Sequence, residues 1–420
     1  TIHYDYFDVD GVSFDSSGHV KIHNNLIEVN SSAVPDLNES ANLTFNNISG
    51  ILKPVPYRNG VYCGSDYCDG YSYDSVNDVF KVNVSQFTNY SVGSGVPSLD
   101  GVLLNSTSGN NYTTDNLTAW PSGLNGYGDA VRSLYGWYKD GESLNRLMLF
   151  MLRRVYDGSD YVTEDLSDEH LNFILPSDTN NVSFVSGGGY DNMSCYDFDY
   201  GDHGYLKSKN TVLVHPPFTV TVWVKPETYV GSTGGYYYRG IVVHKGEAQG
   251  EDKKWFLHVL DNENDASHHK HAQFADTNYP MGSALWSTTA LTEDSWYFLA
   301  VSCSGNSTDN NCSLYVNGNL EDYGEFNLGT STSTYLWVGC DRYYMNLDHD
   351  YFDGKIDDLV VWNVSLGADE IAKLYSDGVN GLNTSSIVSN ETLKGDVWQA
   401  KGFAVSDDGY NSSGVLSNNL

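Results

Sequence analysis

Phe218-Thr-Val-Thr-Val-Trp-Val-Lys-Pro226 decides the fold. Val220, Val222 and Val224 fall on one face at a spacing of two, and β-branched and aromatic residues fill the run, so it is a strand with a buried face. Runs of the same kind follow it: Ser295-Trp-Tyr-Phe-Leu-Ala-Val301, Leu314-Tyr-Val-Asn-Gly318, Leu336-Trp-Val-Gly339 and Phe352-Asp-Gly-Lys-Ile-Asp-Asp-Leu-Val-Val-Trp362. Asn317-Gly318 is a strong hairpin signal. One helix is predicted, over about Ala368–Asp377, with Ile371, Leu374 and Tyr375 as its apolar stripe. Asp369 and Glu370 stand in its first turn, where the helix dipole favours negative charge. Upstream, Cys195-Tyr-Asp-Phe-Asp199, then Asp202 and Tyr205-Leu206, opens the same unit. The fold class is all-β.

At 420 residues the chain exceeds a single core. Its 54 acidic against 22 basic residues give a net charge of −32, which repels nucleic acid and anionic lipid. No apolar run reaches the ~20 residues of a membrane-spanning helix. With no basic segment followed by an apolar one at the start, the numbering is expected to begin on a processed chain. Asn-x-Ser/Thr occurs seventeen times, at Asn30, Asn38, Asn42, Asn47, Asn83, Asn89, Asn105, Asn111, Asn116, Asn181, Asn192, Asn306, Asn311, Asn363, Asn383, Asn390 and Asn411. That set marks a translocated chain carrying N-linked glycans, extracellular and at the cell surface.

Six cysteines without a C-x₂-C spacing favour disulfides over zinc. Cys63 with Cys68, and Cys303 with Cys312, are close in sequence, and each closed loop contributes roughly 2–3 kcal/mol. By elimination Cys195 pairs with Cys340, a long loop that contributes roughly 5 kcal/mol.

The strands from Cys195 to Trp362, with the closing helix, resemble the laminin-G-like, concanavalin-type jelly roll, over roughly Ser186 to Gly378. Residues 1–95 resemble an N-terminal β-sandwich module of archaeal surface proteins, through Ile51-Leu52, Gly60-Val-Tyr-Cys63, Cys68 and Asn83-Val-Ser-Gln-Phe-Thr-Asn-Tyr-Ser-Val92. Asp115–Ala119 and Leu134–Gly141 look like strands B and C of an immunoglobulin-like domain, with Trp137 at its packing position. Leu393–Ala400 and Val405–Gly409 look like its strands E and F, and Ala119 and Ala400 stand where relatives hold a cysteine pair. The resemblance therefore implies a split immunoglobulin-like host, residues 96–146 and 381–420, with residues 147–380 inserted as the jelly roll.

The jelly-roll resemblance also implies a structural Ca²⁺ held by some of Asp199, Asp202 and Asp357, since calcium takes hard oxygen ligands. His258, His268, His269 and His271 concentrate imidazoles that suit a transition metal or a solvated loop. Tyr236, Tyr237, Tyr238, Trp255 and Trp286 offer aromatic faces for sugar rings or for packing. The carboxylate triad of concanavalin-type glycosidases is missing, as are Gly-x-Ser-x-Gly and His-Glu-x-x-His, so no enzyme is expected.

Finally, Ser417-Asn-Asn-Leu420 joined to Thr1-Ile2-His3-Tyr4 completes a strand motif of the immunoglobulin-like resemblance. It makes Thr1, Ile2, Tyr4, Ser417 and Leu420 candidates for a head-to-tail contact, by strand addition or tandem repetition. A contact of that kind that does not close builds a filament. The sequence thus points to a structural subunit of a glycosylated surface assembly, or to a carbohydrate-binding adhesin.

Overall fold

The computed structural model describes residues 2–3, 18–23, 25–150, 152–175, 182–201, 203–228, 238–246, 255–261, 267–276, 283–305, 310–328, 334–340 and 351–420. They fall into two compact units: Thr1–Pro97 with Asn125–Asp129, and Ser98–Leu124 with Ala130–Leu420. Among the described residues the only α-helix is Ala368–Val379, and the rest of the regular structure is strand with short 3₁₀ turns.

The first unit is a sandwich of two antiparallel sheets. One orders Ile2–His3, Ala41–Asn46, Val79–Val84 and Cys68–Asp74; the other orders Val20–His23, Leu26–Val29, Asn89–Ser94, Pro54–Arg58 and Val61–Tyr62. The alternation in Val79–Val84 buries Phe80, Val82 and Val84 between the sheets. Cys63 follows a strand of one sheet and Cys68 opens a strand of the other, so their disulfide ties the two sheets through the core. Ile2 pairs with Leu43 and His3 with Asn42. Thr1 and Tyr4 lie outside the described residues.

In the second unit, strand Val131–Lys139 pairs along its length with Trp398–Ser406, with Trp137 opposite Ala400. Strands about 260 residues apart thus share one sheet, and Gly101–Ser106, Leu117–Ser122 and Ser386–Ile387 form the sheet facing it. Ala119 and Ala400 are both buried in the core between these sheets. Trp137 is fully buried; its indole N–H donates to the Thr384 carbonyl at 2.7 Å, and its ring meets Trp398 edge-on at 6.4 Å. The predicted strands over 393–400 and 405–409 are one strand, Trp398–Ser406, because it pairs without a break along Val131–Lys139. Leu420 exchanges two backbone hydrogen bonds of 3.0 Å with Trp398, and Ser417 donates to Ala400, so the tail completes that sheet edge within its own chain.

Between these halves lie the two large sheets of the jelly roll. The eight-stranded sheet runs Val182–Val185, Cys195–Phe198, Gly354–Trp362, Phe218–Pro226, Tyr297–Gly305, Asn310–Val316 and Asn319–Phe326, with Asn145–Leu149 also on Gly354–Trp362. The nine-stranded sheet runs Val155–Tyr156, Tyr161–Thr163, Phe173–Ile174, Leu206–Ser208, Leu336–Val338, Tyr238–Lys245, Trp255–Asp261, His271–Asp276 and Ala284–Ala290. Val220, Val222 and Val224 enter the core between them. The alternate face of the central strands of the eight-stranded sheet is not solvated. Trp223, Phe298, Val360 and Trp362 pack there against the helix residues Ile371 and Leu374 and the split sandwich. Both faces of the opening strand are therefore buried, and its period of two separates one core from another.

The hairpin at Asn317-Gly318 has positive φ at both residues, 50° and 77°, as its turn chemistry requires. The Cys303–Cys312 disulfide spans paired strands, with the two cysteines directly opposite. The expected Cys195–Cys340 bridge does not form. Cys195 lies in the eight-stranded sheet, whereas Cys340 follows the Leu336–Val338 strand of the other sheet and packs with Trp337 and Tyr351. Elimination leaves these two cysteines over but says nothing of the distance between them, and in the fold each packs in its own surroundings. Burial pushes the Cys195 thiol well up, assisted by Asp357.

Candidate functional site

One face of the eight-stranded sheet lies in the core and the central part of the other lies under the helix and the split sandwich; the nine-stranded sheet has an outer face of its own. Register places its residues. Ile241 stands opposite His258, His258 opposite Gln273, and Gln273 opposite Trp286. In an antiparallel ladder opposite residues share a face, and the alternate residues Leu257, Phe274 and Leu285 point into the core. One row across four strands therefore carries an imidazole, an amide and an indole outward. The neighbouring row is His244, Phe256, Ala275 and Ala284. Phe256 stacks on His258 at 5.0 Å, and His268 lies 4.0 Å from Trp286. His258 and Gln273 are buried, and the Gln273 Nε2 has no hydrogen-bond partner. Trp286 and His268 are half-buried.

This arrangement sorts the aromatic and histidine candidates. Trp286 is on the outer face. Trp255 is in the core, stacked on Phe218 at 5.3 Å, because its position in the strand has the opposite parity. His271 donates from Nδ1 to the Ser287 carbonyl at 2.6 Å, and His269 is half-buried. Tyr236 and Tyr237 lie outside the described residues, and Tyr238 opens the strand that carries Ile241. Among the described residues no group of three His, Cys, Asp or Glu side chains forms a metal cluster. Among the described residues no sequon lies on a strand of the nine-stranded sheet, and in the sequence none occurs between Asn192 and Asn306.

The three aspartates proposed for calcium separate. Asp199 is exposed, next to Asp353, whose carboxyl is pushed up by burial and by Asp199 among its neighbours. Asp202 lies outside the described residues. Asp357 is fully buried, and its Oδ2 has no hydrogen-bond partner. That oxygen stands 2.5 Å from where a Cβ on Gly189 would be, with the Met193 and Ser194 carbonyl oxygens each 3.1 Å from the same point. One carboxylate and two carbonyls converging on a glycine are the hard donors calcium takes. The fit runs through the loop before Cys195 and not through Asp199. Burial, reinforced by Asp358, raises the Asp357 carboxyl well above the carboxylate range, against the pull of Arg132.

Beside it the jelly roll is clamped to the split sandwich. Arg132, on the strand Val131–Lys139, donates twice to Asp358, at 3.0 and 2.8 Å, and pairs with Asp191. Tyr190 and Asn383 each donate to Asp358 Oδ2 at 2.9 Å, and Tyr190 stacks on Trp223 at 3.9 Å. Asn383 is thus a buried sequon with its amide nitrogen engaged. No sequence signal marked this clamp, because its members are distant in the chain.

Residues 200–372 match the family described as the concanavalin A-like lectin/glucanases superfamily. They form a concanavalin A-like domain. Solved structures similar to the concanavalin A-like domain and its surroundings include the binding domain of Paraclostridial Mosquitocidal Protein 1, with 12% identity and a TM-score of 0.39, over 56% of this chain and 53% of that one. Domain 4 of AbnA, a GH43 extracellular arabinanase from Geobacillus stearothermophilus, solved with arabinotriose, has 12% identity and a TM-score of 0.37, over 54% of this chain and 98% of that one. The SAP-like pentraxin from Limulus polyphemus has 15% identity and a TM-score of 0.34, over 57% and 97%. The chain spans about half the length of the toxin domain it matches. No curated protein matches the chain.

Proposed function

We propose that this chain is a non-enzymatic, extracellular carbohydrate-binding protein that recognises glycans on the outer face of its nine-stranded sheet. The observation that carries the reading is Trp286 with His268 beside it, at the accessible end of the row that His258 and Gln273 begin, on the one large sheet whose described strands hold no sequon. The half-buried Trp286 offers an indole face to the C–H groups of a sugar ring, and the half-buried His268, 4.0 Å from it, offers an imidazole to the hydroxyls, the combination of apolar platform and few polar groups typical of ligand sites. A sheet kept clear of the chain's own glycans stays accessible to foreign ones. A glycan array probed with the full chain in calcium tests this. Binding that Trp286→Ala abolishes is expected, and a blank array, or binding unchanged in that variant, refutes the reading.

Asp357, with the carbonyls of Met193 and Ser194, would hold a Ca²⁺, which would neutralise buried negative charge and fix the loop before Cys195. A second reading, a subunit of a surface filament, rests on Ile2–His3, which add as an edge strand to Ala41–Asn46. The same addition, made to the Ala41–Asn46 edge of a neighbouring copy, links chains by strand exchange and builds a filament where it does not close. Deleting residues 1–8 tests it: filaments that assemble unchanged in negative stain exclude strand donation.

A further inference from the structure

The strands Gly101–Ser106 and Leu117–Ser122 turn Leu104 and Ala119 into the core of the split sandwich. On their other face Leu103 stands directly opposite Trp120, and the two side chains are 51% and 50% exposed. An exposed Leu–Trp pair side by side on the outer face of this short sheet is a small apolar platform. Two residues along from Leu103, on the same face, is Asn105, exposed and opposite Thr118. Asn105-Ser-Thr107 is a sequon. Trp120 is therefore the diagonal neighbour of Asn105, and such neighbours lie roughly 7–8 Å apart at Cα and closer at their side chains.

We infer that an N-linked glycan on Asn105 folds back over its own sheet, with its first sugar rings on the Trp120 indole and Leu103. The glycan is the occupant that the geometry selects, because its attachment point is fixed beside the patch on the same face. An indole presents a flat apolar surface to the axial C–H groups of a pyranose, and the sugar hydroxyls remain in water, so covering the patch does not strand polar groups. Among the other sequons, Asn311 has a single exposed aromatic, Tyr323, on its diagonal, whereas the Asn363 amide nitrogen donates to Ser143 at 2.7 Å and that of Asn383 to Asp358 at 2.9 Å. Asn105 thus carries a structural glycan, distinct in role from sites that only add bulk and solubility.

The test uses the full chain secreted from a glycosylating host. Glycopeptide mass spectrometry should find Asn105 occupied; a bare Asn105 overturns the inference. Hydroxyl-radical footprinting then compares wild type with Asn105→Gln and with Asn311→Gln, an exposed control sequon on the Asn310–Val316 strand. Labelling of Trp120 should rise severalfold in N105Q and stay unchanged in N311Q. Equal labelling in all three, or protection that persists without the glycan, overturns the contact. Trp120→Ser gives an independent readout: a glycosidase should trim the Asn105 glycan faster once the indole is gone, and equal rates refute the stacking.

Discussion

Replacing Glu370 by glutamine removes a carboxylic acid from the first turn of the helix Ala368–Val379. The sequence assigns that acid to the helix dipole, but the structure buries it completely. Its Oε2 accepts the Val388 N–H at 2.6 Å, and Oε1 has no partner. Burial, reinforced by Glu391 and Asp377 and opposed by the Val388 N–H and Lys373, pushes its pKa up to about 8. Desolvation outweighs the dipole, so the group is largely neutral at pH 7. The unfolded chain releases this proton near the ordinary 4.5, whereas the folded chain keeps it until about 8. Between those values the folded state binds the extra proton, so stability falls as pH rises and levels off above 8. At about 1.4 kcal/mol per pH unit, that gap corresponds to roughly 5 kcal/mol. Glutamine cannot ionise, and its amide oxygen can still accept from Val388. Glu370→Gln should therefore match wild type near pH 4.5 and exceed it progressively up to pH 8, by a margin of the order of a few kcal/mol. Scanning calorimetry of both proteins at half-unit pH steps measures this. Parallel stability profiles between pH 5 and 8 refute a buried, protonated Glu370.

Arg132→Ala should cost about 3–5 kcal/mol in denaturant titrations, because it leaves Asp358 and Asp191 buried without their cation. A loss below 1 kcal/mol would show that the clamp contributes little. If Asp357 holds calcium, millimolar Ca²⁺ raises the melting temperature of the wild type and EDTA reverses it, while Asp357→Asn shows no response. Glycopeptide mapping should find Asn383 bare and Asn311 occupied, since the first is buried under Arg132 and Asp191; a glycan on Asn383 in folded protein contradicts the packing. Alkylation should leave Cys195 unmodified in the native chain and label it fully in denaturant without reductant, whereas a non-reduced peptide linking Cys195 to Cys340 would restore the expected bridge.

The outward row that carries the proposed function was only half legible. Trp286 and His258 stood out by type, but two bulges, between Ile241 and Val243 and between His271 and Gln273, set which residues meet. A slip of one position exchanges core and surface on every strand it crosses, which is how Trp255 could be mistaken for a sugar platform. The patch at Leu103 and Trp120 was equally hidden: neither residue is unusual until the pairing sets Asn105 beside them.

What the sequence determined by itself is local. A period of two over Phe218–Pro226, Asn-Gly at 317–318 and an apolar stripe from Ile371 to Tyr375 specify strand, turn and helix, because the interactions that select them act within a few residues. What the tertiary structure decided is everything that depends on a distant partner. Trp137 meets Ala400 across an excursion of about 260 residues, and Cys195 lies in one sheet while Cys340 follows a strand of the other. Asn383 is sealed under a charge network, and Glu370 keeps its proton. In each case the deciding quantity is burial, the exclusion of water by residues remote in the chain, which no local pattern encodes.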